Sequence, residues 1–272
     1  MKKYLLLIVL ILLTGCSNNS FMEGYSSNLL SNKDQNKLQE ILNDNKVKNT
    51  ETFISLVKDY NKGKDYGCGM SNWKETTSVN YDDSACIDRY EKTHKVSDGN
   101  CRLTSFILIK DRLRIEKEKT EYGNYLMFDI DVLETNKEYD FLNKDFNKFI
   151  TLFDEIDVSE VDENDFDKVL PDKWKEYGIK IAEGNLSLIN VVMYDKNEKN
   201  LFIGHTGVLV KYNDGYIFIE KIAFEGPYQI SILEKKKDLF DIFSKRSNYF
   251  ETEEDKPFVY ENDKLLGRLT KK

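Results

Sequence analysis

The feature that most restricts the fold is a change of hydrophobic periodicity near Gly178. Before it, apolar residues recur at helical spacing. Phe53, Leu56, Val57 and Tyr60 predict a helix over Thr50–Tyr60 with Thr50 as N-cap, and residues 33–45 read as another. Leu103, Phe106, Ile107 and Ile109 carry a helix over 101–113, and Leu142, Phe146, Phe149, Ile150 and Phe153 carry one over 139–156. Residues 61–100 are polar and read as irregular, and 154–172 is an acidic connection or solvated helix face. After Gly178, β-rich runs at 186–194 and 201–211 flank the turn Asp195-Lys196-Asn197, and 216–224 follows across Asp214-Gly215, a hairpin signal. A helix over 233–244 and a last strand at Phe258-Val259-Tyr260 complete the pattern. Helices first and an antiparallel sheet second describe an α+β domain, expected over 32–272 without an internal repeat or linker.

The N-terminus has a different purpose. Lys2-Lys3 precede an apolar run from Tyr4 to Leu13, far shorter than the roughly 20 residues of a spanning helix but suited to a secretory signal. The run ends in Leu13-Thr14-Gly15-Cys16, the pattern of a lipoprotein processing site. Residues 1–15 are therefore expected to be removed as a signal peptide, leaving Cys16 lipidated and the protein anchored on the outer face of the cell membrane. The Ser- and Asn-rich stretch 16–31 reads as a flexible tether. The formal net charge of −8 includes Lys2 and Lys3, so the exported part is more acidic still, which argues against a nucleic-acid partner. The Lys-, Asn- and Ile-rich composition suggests a Gram-positive source.

Three cysteines remain outside the cell, where thiols oxidise: Cys68, Cys86 and Cys101. An odd number leaves one over even if Cys68 and Cys86 form a disulfide. Cys101 follows Asp98-Gly99-Asn100, which suits a helix cap, so its sulfur is expected in a first helical turn where the dipole favours thiolate. A buried structural cysteine is the plainer alternative. Of two histidines, His94 lies in a charged stretch and reads as a surface residue. His205 sits in a strand between Gly204 and Thr206-Gly207, with room for another group to approach. If the Asp214-Gly215 hairpin has an even loop, His205 shares a sheet face with Tyr216, Phe218, Glu220 and Ile222. Glu220 is the one charged residue of that set, and a four-residue loop would put it diagonal to His205, placed to orient the imidazole. An odd loop would present Lys221 instead.

A cysteine at a helix start, a histidine on a strand and an acid on the next strand resemble the papain-like superfamily, which includes NlpC-type wall peptidases. More closely, the chain resembles a family of uncharacterised Gram-positive lipoproteins grouped as a domain of unknown function. The resemblance rests on Asn100-Cys101-Arg102 with Thr104-Ser105-Phe106, on 202–209 and 218–224, on Pro227-Tyr228-Gln229 and on Glu261-Asn262-Asp263. It implies a papain-like fold with Cys101 as nucleophile, His205 as general base and acid, and Glu220 as orienter. Asn100, Arg102 and Gln229, within these blocks, are candidates for oxyanion or substrate contacts. Two positions depart from the superfamily pattern: Lys95 stands where a glutamine oxyanion donor is usual, and the orienter is Glu in place of Asn or Asp.

A zinc site from Cys68, Cys86, His94 and Cys101 lacks a close cysteine pair, and the acidic runs lack the glycine of a calcium loop. No phosphate-cradling glycine loop or serine elbow occurs, so no cofactor or metal is expected. The expectation is a surface thiol hydrolase or acyl transferase acting on an amide bond of cell-wall peptide or a surface protein. The alternative is a non-catalytic lipoprotein that uses the same fold to bind such a partner. The oligomeric state stays open.

Overall fold

A computed structural model describes residues 21–62 and 68–272. Residues 1–15, expected as a signal peptide, and Cys16 lie outside the described residues. Some of the helices begin where a short polar side chain takes up free amides of the first turn. Ser31 caps α1 (Asn32–Asp44) by accepting from the Asp34 amide at 3.0 Å. At α2 (Thr50–Tyr60) the cap position belongs to Asn49, and the Thr50 hydroxyl donates instead to the Val47 carbonyl. Asp82 caps α3 (Asp83–Thr93), inside the stretch expected to be irregular. The apolar pattern of α3 is thin because it buries only Cys86, Arg89 and Tyr90, and the Cys68–Cys86 disulfide fastens it.

Next come α4 (Cys101–Ile109), α5 (Met127–Thr135) and α6 (Phe146–Phe153). A run of 3-10 turns over Lys137–Asp145 replaces the first half of the helix expected from 139. The acidic stretch contains α7 (Phe166–Tyr177), which ends at Gly178 in left-handed conformation, φ +63°. Pro171 inside α7 cannot bond the Asp167 carbonyl, and the Tyr260 hydroxyl donates to that oxygen at 2.9 Å. The last helix, α8, spans only Asp238–Phe243; Leu233, expected at its start, belongs to a strand.

The short strands are β1 (Tyr25–Ser27), β2 (Lys74–Glu75), β3 (Leu113–Arg114), β4 (Ile156–Asp157) and β5 (Lys180–Ile181). The long ones are β6 (Leu186–Asp195), β7 (Asn200–Tyr212), β8 (Gly215–Lys221) and β9 (Tyr228–Leu233), followed by β10 (Phe258–Glu261) and β11 (Lys264–Arg268). The principal sheet runs β11-β10-β6-β7-β8-β9-β1-β2, with β4 added to β7; β3 and β5 form a separate pair. Every pairing is antiparallel. The protein is thus α+β, as the periodicity implies.

The stretch expected as tether is corrected here. Phe21 is buried, its amide donates to the Tyr212 hydroxyl, and β1 pairs with β9 through Ser26 and Ser27. The Ser26 hydroxyl lies 2.8 Å from that of Ser231. Ser26 and Ser27, two of the serines that suggested a flexible linker, are spent inside a sheet, and the fold takes in the stretch from Phe21 on.

The central strands are covered on both faces. Val208, Val210, Ile217 and Ile219 join the core formed with Leu103, Phe106, Ile107 and Ile109 of α4. Leu209, Phe218, Ile189 and Leu233, pointing the other way, pack with Leu239, Ile242 and Phe243 of α8 and with Tyr249 and Phe250. Two-sided burial explains why these strands read as nearly continuous apolar runs.

Candidate active site

Asn100 has extended backbone and its Oδ1 accepts from the Arg102 and Leu103 amides at 2.9 and 3.1 Å. Cys101 is therefore the first residue of α4, and its own N–H has no partner among the described residues. Upstream, Asp98 accepts from the Tyr139 hydroxyl at 2.5 Å and the Gly99 amide at 2.8 Å. A side chain on Gly99 would run into the Tyr139 ring, so the approach to the helix requires glycine. Cys68 and Cys86 form the disulfide, with Cα atoms 4.6 Å apart, and Cys101 stays free and buried.

The hairpin between β7 and β8 has a two-residue loop, Asn213-Asp214, with Asn213 left-handed at φ +50°. The loop is even, though shorter than the four residues considered from sequence; the pairing Lys211 with Tyr216 is common to both lengths. Glu220 accordingly falls on the face of His205, and its Oε2 is 2.6 Å from His205 Nε2. Lys221 turns to the opposite face, where its Nζ donates to the carbonyls of Ala223, Phe224 and Gly226 and pairs with Asp98 at 3.2 Å. His205 itself sits beside a bulge. Val191 pairs with it and Val192 pairs with Ile203, so Gly204 is the extra residue. The space beside the flanking glycines is occupied by structural neighbours, Met193 at Gly204 and Phe218 at Gly207.

The site contains a member that sequence reasoning missed. Arg246 Nη1 and Nη2 donate to Glu220 Oε2 and Oε1, both at 2.7 Å, and Nη1 also donates to the Tyr249 hydroxyl at 2.8 Å. Gln229 Nε2 donates to Glu220 Oε1 at 2.9 Å, so the carboxylate is held by three partners. The signal for Arg246 is faint: it lies seven residues after Leu239, in line with the apolar stripe of α8 but beyond the helix end.

The three residues expected as oxyanion or substrate contacts are otherwise engaged. Asn100 spends its oxygen on the helix cap. Arg102 makes a buried ion pair with Asp129, through Nε and Nη2, and donates to the Ile203 and Tyr125 carbonyls. Gln229 braces Glu220 and accepts from the Tyr81 hydroxyl at 2.5 Å. Arg102 and Gln229 thus support the site from behind. His94 is half-buried, not a surface residue: it stacks on Tyr90 with centroids 4.3 Å apart and lies 3.4 Å from Asp59, away from the Cys101 group.

The electrostatics agree with the geometry. Burial by itself pushes the Cys101 thiol up, but the charge and hydrogen bond of His205, then Arg102 and the Thr206 amide, bring it below its ordinary value. Burial pulls His205 down, and Cys101 and Glu220 more than reverse this, so the imidazole is raised. Burial would also raise Glu220, yet Arg246 and His205 bring it to about 2. Nε2 carries its proton toward Glu220, which leaves Nδ1 as the nitrogen for Cys101. A lowered thiol beside a raised imidazole shifts the proton balance toward the thiolate–imidazolium pair.

Fold and site together define an α+β protein with a buried cysteine–histidine–glutamate chain, closed by an arginine, at the start of a helix packed on an antiparallel sheet. The chain belongs to the family DUF4300, a domain of unknown function, whose model matches residues 25–266. No curated protein and no solved structure matches it. Among the described residues no group of side chains is arranged to hold a metal ion, and no helix is long and apolar enough to cross a membrane.

Proposed function

We propose that this protein is a lipid-anchored cysteine hydrolase or acyl transferase of the Gram-positive cell envelope, with a papain-like arrangement of its fold. The observation that carries the reading is the 2.6 Å contact of His205 with Glu220, together with a Cys101 thiol that the same imidazole brings below its ordinary value. Such an arrangement activates a sulfur nucleophile and supplies a proton donor for the leaving group. The Cys101 thiolate attacks the carbonyl carbon of an amide, and negative charge develops on its oxygen. The unpartnered Cys101 N–H, at the positive end of α4, is the donor best situated to receive that oxygen. His205 then gives its Nδ1 proton to the departing nitrogen as the C–N bond breaks, leaving a thioester on Cys101. Neutral His205 next takes a proton from water, or from an acceptor amine in the transferase case, as that nucleophile displaces the thiol. The substrate classes within reach of an anchored protein are cell-wall peptide and surface polypeptide.

A binding module without catalysis is the second reading, and the 6 % exposure of Cys101 favours it. Its weakness is the lining of the thiol, which is polar and charged where a structural cysteine would have apolar neighbours. Incubating the purified protein with peptidoglycan and with peptide libraries separates the two. Products or a thioester adduct formed by the native chain and lost in Cys101→Ala support the enzyme. Binding retained in Cys101→Ala, with no product from either, supports the module.

A further inference from the structure

We propose that Arg246 is a positioning residue whose fork on Glu220 makes the two a net-neutral orienter, leaving the positive charge of protonated His205 to the Cys101 sulfur. The inference rests on the thiol-nucleophile reading above and deepens it. A bare carboxylate 2.6 Å from Nε2 would pair with the imidazolium and cancel it, so the sulfur would face a group of no net charge. With both Arg246 nitrogens on the carboxylate at 2.7 Å, protonated His205, Glu220 and Arg246 together carry one positive charge. That charge lies where a thiolate needs it. Nη1 also approaches Nε2 to 3.3 Å, and since both donate to Oε2 this is a contact of two donors. An Arg–Glu pair thus does the work of a neutral amide in that position.

The other ionisable groups around the site add no net charge to this balance, although Arg102 helps to lower the thiol. From α4, Arg102 is tied to Asp129. From β8, Lys221 is tied to Asp98. Tyr249, after α8, and Tyr81, before α3, are phenols that burial raises and so keeps neutral. Gln229 from β9 carries no charge. The net charge beside sulfur is therefore decided by His205, Glu220 and Arg246. The step concerned is one proton transfer: the S–H bond of Cys101 breaks, Nδ1 takes the proton, and the electron pair stays on sulfur.

The test is the iodoacetamide rate of Cys101 between pH 5 and 9, read by mass spectrometry on the intact protein, with circular dichroism to check folding. Arg246→Met should raise the apparent thiol pKa by about one unit, so that the rate at pH 6 falls about tenfold. Glu220→Gln/Arg246→Met restores a neutral orienter and should recover most of the loss. Arg246→Lys keeps the charge and should stay close to the native profile. A folded Arg246→Met with the native profile, or a double variant as slow as Arg246→Met, overturns the proposal. If Arg246→Met does not fold, the double variant and Arg246→Lys decide, and loss of low-pH reactivity in either overturns it. A native Cys101 that is inert below neutral pH instead overturns the thiol-nucleophile reading itself.

Discussion

If Cys101 is the nucleophile proposed above, replacing His205 with alanine should leave it an ordinary buried thiol. In the native protein two effects oppose each other at this sulfur: burial, which raises the pKa, and the imidazolium, the largest of the groups that lower it. Two unit charges about 4 Å apart at an effective permittivity near 20 interact by about 4 kcal/mol. That corresponds to about three pKa units. The remaining helpers are weaker. The end of α4 contributes about 1–2 kcal/mol, and the charge of Arg102 is already engaged by buried Asp129. With His205 gone and burial unopposed, alkylation at pH 6 should fall by about two to three orders of magnitude, and appreciable reaction should begin only above roughly pH 8.5. His205→Gln, closer in volume, controls for the cavity that alanine leaves. The assay is iodoacetamide labelling across pH 5 to 9 with Cys101 resolved by peptide mass. A rate profile for His205→Ala that overlays the native one would refute the coupling of the two residues.

Acid stability should report on Glu220. Its folded pKa of about 2 lies below the ordinary 4.5, so its contribution is full above pH 4.5 and is lost as pH falls through 2. The depression is worth on the order of 3 kcal/mol, and Glu220→Gln should flatten the loss of urea stability between pH 5 and 2.5; an unchanged slope would count against the buried carboxylate. The Cys68–Cys86 disulfide closes a loop with a sequence separation of 18. Cys68→Ser/Cys86→Ser should cost about 3 kcal/mol by chain entropy, seen as a lower thermal midpoint under non-reducing conditions, and peptide mapping should find Cys101 outside any disulfide. Cys16→Ala should abolish incorporation of a clickable fatty acid in the producing cell, and undiminished label would remove the lipid-anchor reading.

The sequence by itself determined what depends on neighbours along the chain. Asn100 ahead of an apolar helix places Cys101 in a first turn, because a cap needs only a short polar side chain next to free amides. The alternation of side chains, together with an even hairpin loop, puts Glu220 on the face of His205, because adjoining strands share one register over a few residues. The class of fold follows from the same local periods. The tertiary structure alone decided the contacts that span the chain. The serines of β1 look like a linker until β9 offers them an edge, and Leu233, where local spacing starts a helix, instead ends β9. Arg246 reaches Glu220 across 26 positions, and Gln229 turns from a substrate contact into a brace, because a charge that cannot meet water must find its partner in space. No local preference encodes such a pairing. It follows only from the closure of the core that buries Glu220.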